Sequence, residues 1–196
     1  MVEQFKKHMN NSEDHEYLYM RIASHAAPTL MDMKPSSLIS LSNNSRKVMN
    51  IWEENKDRIA DRLNLHYFEL LKSDKHVSIL FYRKDKILQT IEKPESRHFL
   101  KSMGHPAGTN LEDLLQSFKQ RFQKEFPHEI GILLGYPLED VKDFIRHKGS
   151  GSLLCGYWKV YHNPDQALQV FRKYDLAKEM VMKLIAGLKG EVRVAI

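Results

Sequence analysis

An α+β fold, a predominantly antiparallel sheet packed against several helices in one compact unit spanning 1–196, is what this sequence predicts, and three observations lead there. Two runs rich in β-branched, aromatic and leucine residues, 65–71 and 77–82, flank Ser73, Asp74 and Lys75, the arrangement of an antiparallel hairpin. Apolar residues recur at the helical period in three longer stretches, those beginning near Val48, Leu111 and Ala167. Strands and helices do not alternate as in a parallel α/β protein, and no repeat of fixed period is present.

Taken in order, residues 1–12 are polar and charged and are expected to form a flexible arm. Residues 13–26 read as a helix with Tyr17, Leu18, Met20, Ile22 and Ala23 along one side, stopped at Pro28 because proline has no amide proton to donate. A short strand follows at 36–41. Asn44 or Ser45 is suited to cap the next helix, whose inward positions are Val48, Ile51, Trp52, Ile59 and Leu63. After the hairpin, residues 86–103 read as helix interrupted at Pro94, and 104–108 as a loop around Pro106. Asn110 then caps a helix with Glu112 and Asp113 in its first turn and a stripe of Leu111, Leu114, Leu115, Phe118 and Phe122. Pro127 and Pro137 each start a shorter helix, and the second ends before a Gly/Ser loop at 149–152. Residues 153–161 read as a strand of the sheet. Asn163 and Pro164 open a long final helix with Ala167, Val170, Phe171, Tyr174, Ala177, Val181 and Leu184 inward, closed by Gly187, and 192–196 read as an edge strand.

Composition excludes several classes. The net charge is +5 at a pI near 9.1, but basic and acidic residues are interleaved, so bulk charge gives little support for nucleic-acid binding. No apolar run approaches the roughly 20 residues of a membrane span, and the N-terminus lacks the apolar stretch of a secretory signal. A single cysteine, Cys155, cannot form an internal disulfide. These features lead to an expected cytoplasmic location and no membrane partner.

Ile130, Gly131, Leu134, Gly135, Val141 and Phe144 fall at helix-turn-helix spacing. The would-be reading helix, however, sets Glu139, Asp140 and Asp143 against Lys142, Arg146 and Lys148, so duplex DNA is not the expected partner. Ten histidines show no HxxxH or HExxH spacing and no CxxC pair accompanies them; a metal or haem site would have to be assembled in three dimensions from His25, His128 or Cys155, and none is assigned. The glycine-serine run lacks the Gly-Lys-Ser/Thr ending of a phosphate loop.

Four segments resemble one family: His25-Ala26-Ala27-Pro28-Thr29-Leu30, Phe126-Pro127-His128-Glu129-Ile130-Gly131, Leu134-Gly135-Tyr136-Pro137-Leu138-Glu139-Asp140-Val141 and Gly156-Tyr157-Trp158-Lys159-Val160-Tyr161. It is the domain of unknown function 3793 family, and the likeness runs from about His25 to Leu184. The resemblance implies a bacterial, clostridial cytoplasmic protein of anaerobes with a link to iron or redox metabolism. It brings no activity and no cofactor. The family often has a cysteine where Ala26 stands, so a second thiol is missing here.

The residues that carry chemistry gather in the same segments. On a strand, Tyr157, Lys159 and Tyr161 share one face, a cation between two aromatic rings, while Trp158 and Val160 serve the core. Lys34, His25, His128, Glu129 and Cys155 complete the candidate set. The expected function is binding of a small anionic or cofactor-like ligand between residues 153–161, the His128 helix start and residues 25–34. The alternatives are an enzyme using Cys155 or His128 and Glu129 as nucleophile or acid and base, and a helix-turn-helix regulator.

Overall fold

The computed structural model describes residues 2–43, 46–106, 110–185 and 187. Its centre is a sheet of β1 (Ser36–Ser42), β2 (His66–Lys72) and β3 (His76–Tyr82) in the order β1-β3-β2, antiparallel throughout. The sheet is covered on both faces. Val77, Ile79 and Phe81 of β3, with Ile39 and Leu41 of β1, meet α2 (Asp14–His25) and α4 (Val48–Leu63). Leu80 and Tyr82 point the other way, toward α5 (Lys84–Ile91), α6 (Pro94–Ser102) and α7 (Leu111–Phe122). The period-two alternation of the central strand thus sorts its side chains into two cores.

Local chemistry sets the ends of these elements. The Asn110 side chain accepts from the Glu112 amide at 3.0 Å and caps α7. Asn64 closes α4 in the left-handed conformation, φ 51°. In the first core, Trp52 packs edge-on against Tyr67 and Phe81 at 5.2 and 5.5 Å, and its indole nitrogen donates to Glu69 Oε1 at 2.8 Å. The register of β2 slips between Glu69 and Leu71, so Leu70 and Leu71 both turn toward the α7 core.

Several expectations are corrected. The expected arm at the N-terminus is α1 (Val2–Asn10): Val2, Phe5 and Met9 recur at helical spacing, and Phe5 is buried with Met20 and Met182. Residues 153–161 are not a strand of the main sheet. They form a separate ribbon of β4 (Leu154–Cys155) and β5 (Lys159–Val160), with Gly156 donating to the Trp158 carbonyl at 3.1 Å in the turn. The turn falls at Gly156, where a side chain would collide with the Phe171 ring beneath it, so the close approach of ribbon and α9 requires glycine there. The final helix α9 (Pro164–Ile185) therefore packs on α2, on α3 (Ala27–Leu30) and on this ribbon instead of on the main sheet. Pro127 starts only a 3-10 turn, His128–Gly131, before α8 (Leu138–Arg146), so the helix-turn-helix spacing lacks its first helix. The expected caps Asn44 and Ser45 and the edge strand at 192–196 lie outside the described residues.

Pro28 does not end helical structure outright. The chain bends at Ala26 into α3, passes through Asp32 at φ 60°, and enters β1 by way of Lys34 and Pro35. Arg83 holds this corner, donating to the carbonyls of Thr29 and Leu30 at 3.0 Å each. The 131–136 segment is pressed against it: Ser36 Oγ donates to the Leu133 carbonyl at 2.6 Å. Gly135, at φ 77°, has no room for a Cβ, which would stand 2.6 Å from Pro35 Cδ.

Candidate functional site

Between the α2–α3 corner, the 126–144 segment, the β4–β5 ribbon and α9 lies a cavity of about 450 Å³. Pro28, Leu38, Ile130, Leu134, Val141, Phe144 and Trp158 give it apolar walls, and Tyr136 and Tyr157 contribute their rings. Its charged lining is almost all basic: Lys34, Lys159 and Lys178, with His25 and His128. The volume and the lining suit a small organic ligand.

Lys34 sits deepest. Only 9% of it is exposed, and its ammonium lies 5.5 Å from the Tyr136 ring centre and 5.9 Å from that of Tyr174. Among the described residues no carboxylate pairs with it and no acceptor bonds to it. Desolvation lowers its pKa from the ordinary 10.5 to about 8. Burial also raises the phenols beside it, Tyr174 to about 12, so neither ionises at neutral pH to become a counter-ion.

The carboxylate on the cavity wall, Asp140, already has three donors. Its Oδ2 accepts from Trp158 Nε1 at 2.8 Å, and its Oδ1 accepts from the Tyr161 and His162 amides at 2.9 Å each. Asp140 thereby ties the start of α8 to the ribbon, and among the described residues it makes no ion pair with Lys34. Lys159 is also engaged: its ammonium donates to the Gly149 carbonyl at 2.6 Å and lies 6.0 Å from the Phe144 ring.

The structure brings His25, Lys34, His128, Tyr157 and Lys159 around one cavity. His25 is at the rim with Nδ1 against the Arg21 carbonyl at 2.8 Å; a carbonyl only accepts, so Nδ1 carries the proton and Nε2 is unprotonated in the neutral ring. His128 is exposed between Phe126 and Phe144, at 5.4 and 4.9 Å between ring centres. Tyr157 spends its hydroxyl on Asp175 at 2.8 Å.

Three candidates lie elsewhere. Glu129 turns away from its neighbour His128 into a buried cluster, accepting from His105 Nε2 and Arg121 Nη1 at 3.1 Å each, while His105 Nδ1 meets Ser117 Oγ at 3.0 Å. Burial pushes the Glu129 carboxyl up, but the His105 hydrogen bond and the charges of His105 and Arg121 outweigh it and hold the group below the usual carboxylate range. Cys155 is exposed and lies off the cavity lining. Tyr161 stacks on His147 at 5.7 Å, also away from the cavity, because the ribbon turn breaks the alternation that would align it with Tyr157. His25, His128 and Cys155 do not converge, and among the described residues no three His, Cys, Asp or Glu side chains form a metal-binding group.

Sequence reasoning missed Tyr136, Phe144, Trp158, Asp140 and Lys178 as cavity residues. Asp140 left the clearest signal, an acidic residue placed on the buried side of a helix's first turn. Among the described residues no helix is long and apolar enough to cross a membrane. No curated protein and no solved structure matches the chain. A family model described as "Protein of unknown function (DUF3793)" matches residues 22–192, which takes in the end of α2, all of α3 through α9 and every cavity residue, and the chain belongs to that family.

Proposed function

We propose that this protein binds a small, largely apolar or aromatic anion in the cavity beside Lys34. The observation that carries the reading is a buried ammonium facing aromatic walls with no carboxylate partner among the described residues. Burying an unpaired charge is unfavourable, and an anion entering the cavity would relieve that cost with a charge-assisted hydrogen bond. Lys159 and Lys178 add positive potential at the walls, His25 and His128 add ring nitrogens at the rim, and Asp140 is occupied by three N–H donors. The apolar surfaces of Phe144, Trp158 and Tyr136 supply the larger contact area. The setting we propose is the cytoplasm of an anaerobic bacterium, in line with the family resemblance and with a free thiol at Cys155.

The fluorescent anion 1-anilinonaphthalene-8-sulfonate tests this directly. It should bind the wild-type chain saturably at one site, and Lys34→Met should weaken it by about 1 to 3 kcal/mol, the scale of a lost hydrogen bond to a charged group. Equal binding by the two proteins would remove Lys34 from the site.

A further inference from the structure

A lysine that only attracts anions works best fully charged and exposed to its partner's approach; Lys34 is instead desolvated. We propose that Lys34 forms a covalent imine with an aldehyde or ketone group of the bound anion, an inference that rests on the ligand-binding reading above. The cavity presents its Nζ between the rings of Tyr136 and Tyr174. Lys159, by contrast, is held by the Gly149 carbonyl.

The chemistry needs a neutral amine, since an ammonium has no lone pair. With a pKa of about 8, roughly a tenth of Lys34 is neutral at pH 7, against less than about a thousandth of a lysine at the ordinary value. Neither phenol is ionised at neutral pH, and among the described residues the Asp140 carboxylate makes no ion pair with Lys34: its hydrogen bonds go to Trp158, Tyr161 and His162. In the condensation the nitrogen lone pair attacks the carbonyl carbon and forms the C–N bond, and the carbonyl oxygen takes up a proton to give a carbinolamine. Nitrogen gives up one proton to reach that neutral carbinolamine; the hydroxyl then takes up a proton and leaves as water as the C–O bond breaks, and the iminium nitrogen releases its last proton to leave C=N. Amine and carbonyl become imine and water with no change in oxidation state. The apolar walls favour loss of that water and slow its return. An anion without a carbonyl would pair with Lys34 directly; in a ligand that has one, Lys34 would take the carbonyl and Lys159 and Lys178 the anionic group, so the carbonyl and the charge belong at opposite ends of a ring-sized body.

Pyridoxal 5′-phosphate, an aromatic aldehyde bearing an anion, is a suitable probe, with pyridoxine 5′-phosphate as the congener that has an alcohol where the aldehyde stands. The full chain is mixed with one equivalent of the aldehyde, reduced with borohydride and mapped by peptide mass spectrometry. Lys34 should be the dominant modified residue, with anilinonaphthalene sulfonate protecting it, and Lys34→Arg should lose that modification while keeping its circular dichroism. The wild-type chain alone gives a second reading independent of any variant: the aldehyde should bind at least about tenfold more tightly than the alcohol, a difference of about 1.4 kcal/mol. If both congeners displace the sulfonate with equal affinity and label falls on surface lysines, the imine is overturned and the anion site stands. If neither the congeners nor the sulfonate bind at all, the ligand-binding reading fails and the imine with it.

Discussion

Two charged groups are buried on opposite sides of the same 3-10 turn, and they are treated in opposite ways. Glu129 is surrounded by a histidine, an arginine and, through the histidine, a serine hydroxyl, so each of its demands is met inside the protein. Lys34, across the Ile130–Leu134 wall, meets aromatic faces and space. A buried charge with partners holds segments together: the Glu129 cluster joins the 103–106 loop, α7 and the turn. A buried charge without partners costs stability, and the fold tolerates it where something else gains from it.

The sharpest way to break the comparison is to remove each charge in turn. Glu129→Ala should destabilise the protein by about 3 to 5 kcal/mol in denaturant unfolding, because it strands His105 and Arg121 without their shared acceptor. Lys34→Met should do the reverse and stabilise by about 1 to 3 kcal/mol, since it keeps the apolar stem and removes a charge whose burial the pKa of about 8 reports as unfavourable. A loss of stability on Lys34→Met would mean that the ammonium has a structural partner.

Stability as a function of pH sharpens the same contrast. Below about pH 8 Lys34 is protonated in both folded and unfolded chains, and the buried charge weighs on the fold. Between about 8 and the ordinary 10.5 the folded chain has released the proton while the unfolded chain still holds it, so the unfolded state binds more protons and the contribution of Lys34 to stability rises with pH. That rise should be absent in Lys34→Met. Glu129, held low when folded, contributes stability that is present above the unfolded carboxylate pKa and is lost as pH falls through its folded value. The smallest effect concerns Lys159: Lys159→Ala should cost about 0.5 to 1.5 kcal/mol through its bond to Gly149, with a weaker effect on anilinonaphthalene sulfonate binding than Lys34→Met.

Much of the fold was legible because it is locally encoded. The stripes of α4 and α7 and the β2–β3 hairpin follow from periodicity and turn residues alone. The ribbon departs from the strand expected at 153–161 although Tyr157, Trp158, Lys159, Val160 and Tyr161 alternate as a strand would, and the ring packed against its turn glycine, Phe171 beneath Gly156, lies in another element. The site shows the same division. The sequence segments that line the cavity stood out by composition, yet His128 and Glu129 could not be told apart by type or spacing, and only the tight 3-10 turn sends one to the rim and the other into the core. The three hydrogen bonds to Asp140 come from Trp158 and from two amides at 161 and 162, contacts no window of local sequence contains.

The backbone contact at Gly135 has a mechanical consequence. Because Pro35 fills the place of a Cβ there and Ser36 is hydrogen-bonded to Leu133, the strand edge that bears Lys34 and the segment opposite it cannot slide apart without breaking both contacts. The floor of the cavity is thus braced, and a ligand entering it would meet Lys34 in one place. Adjustment to guests of different size would fall instead to the rim, where Phe126 is half exposed and the His128 ring lies between it and Phe144.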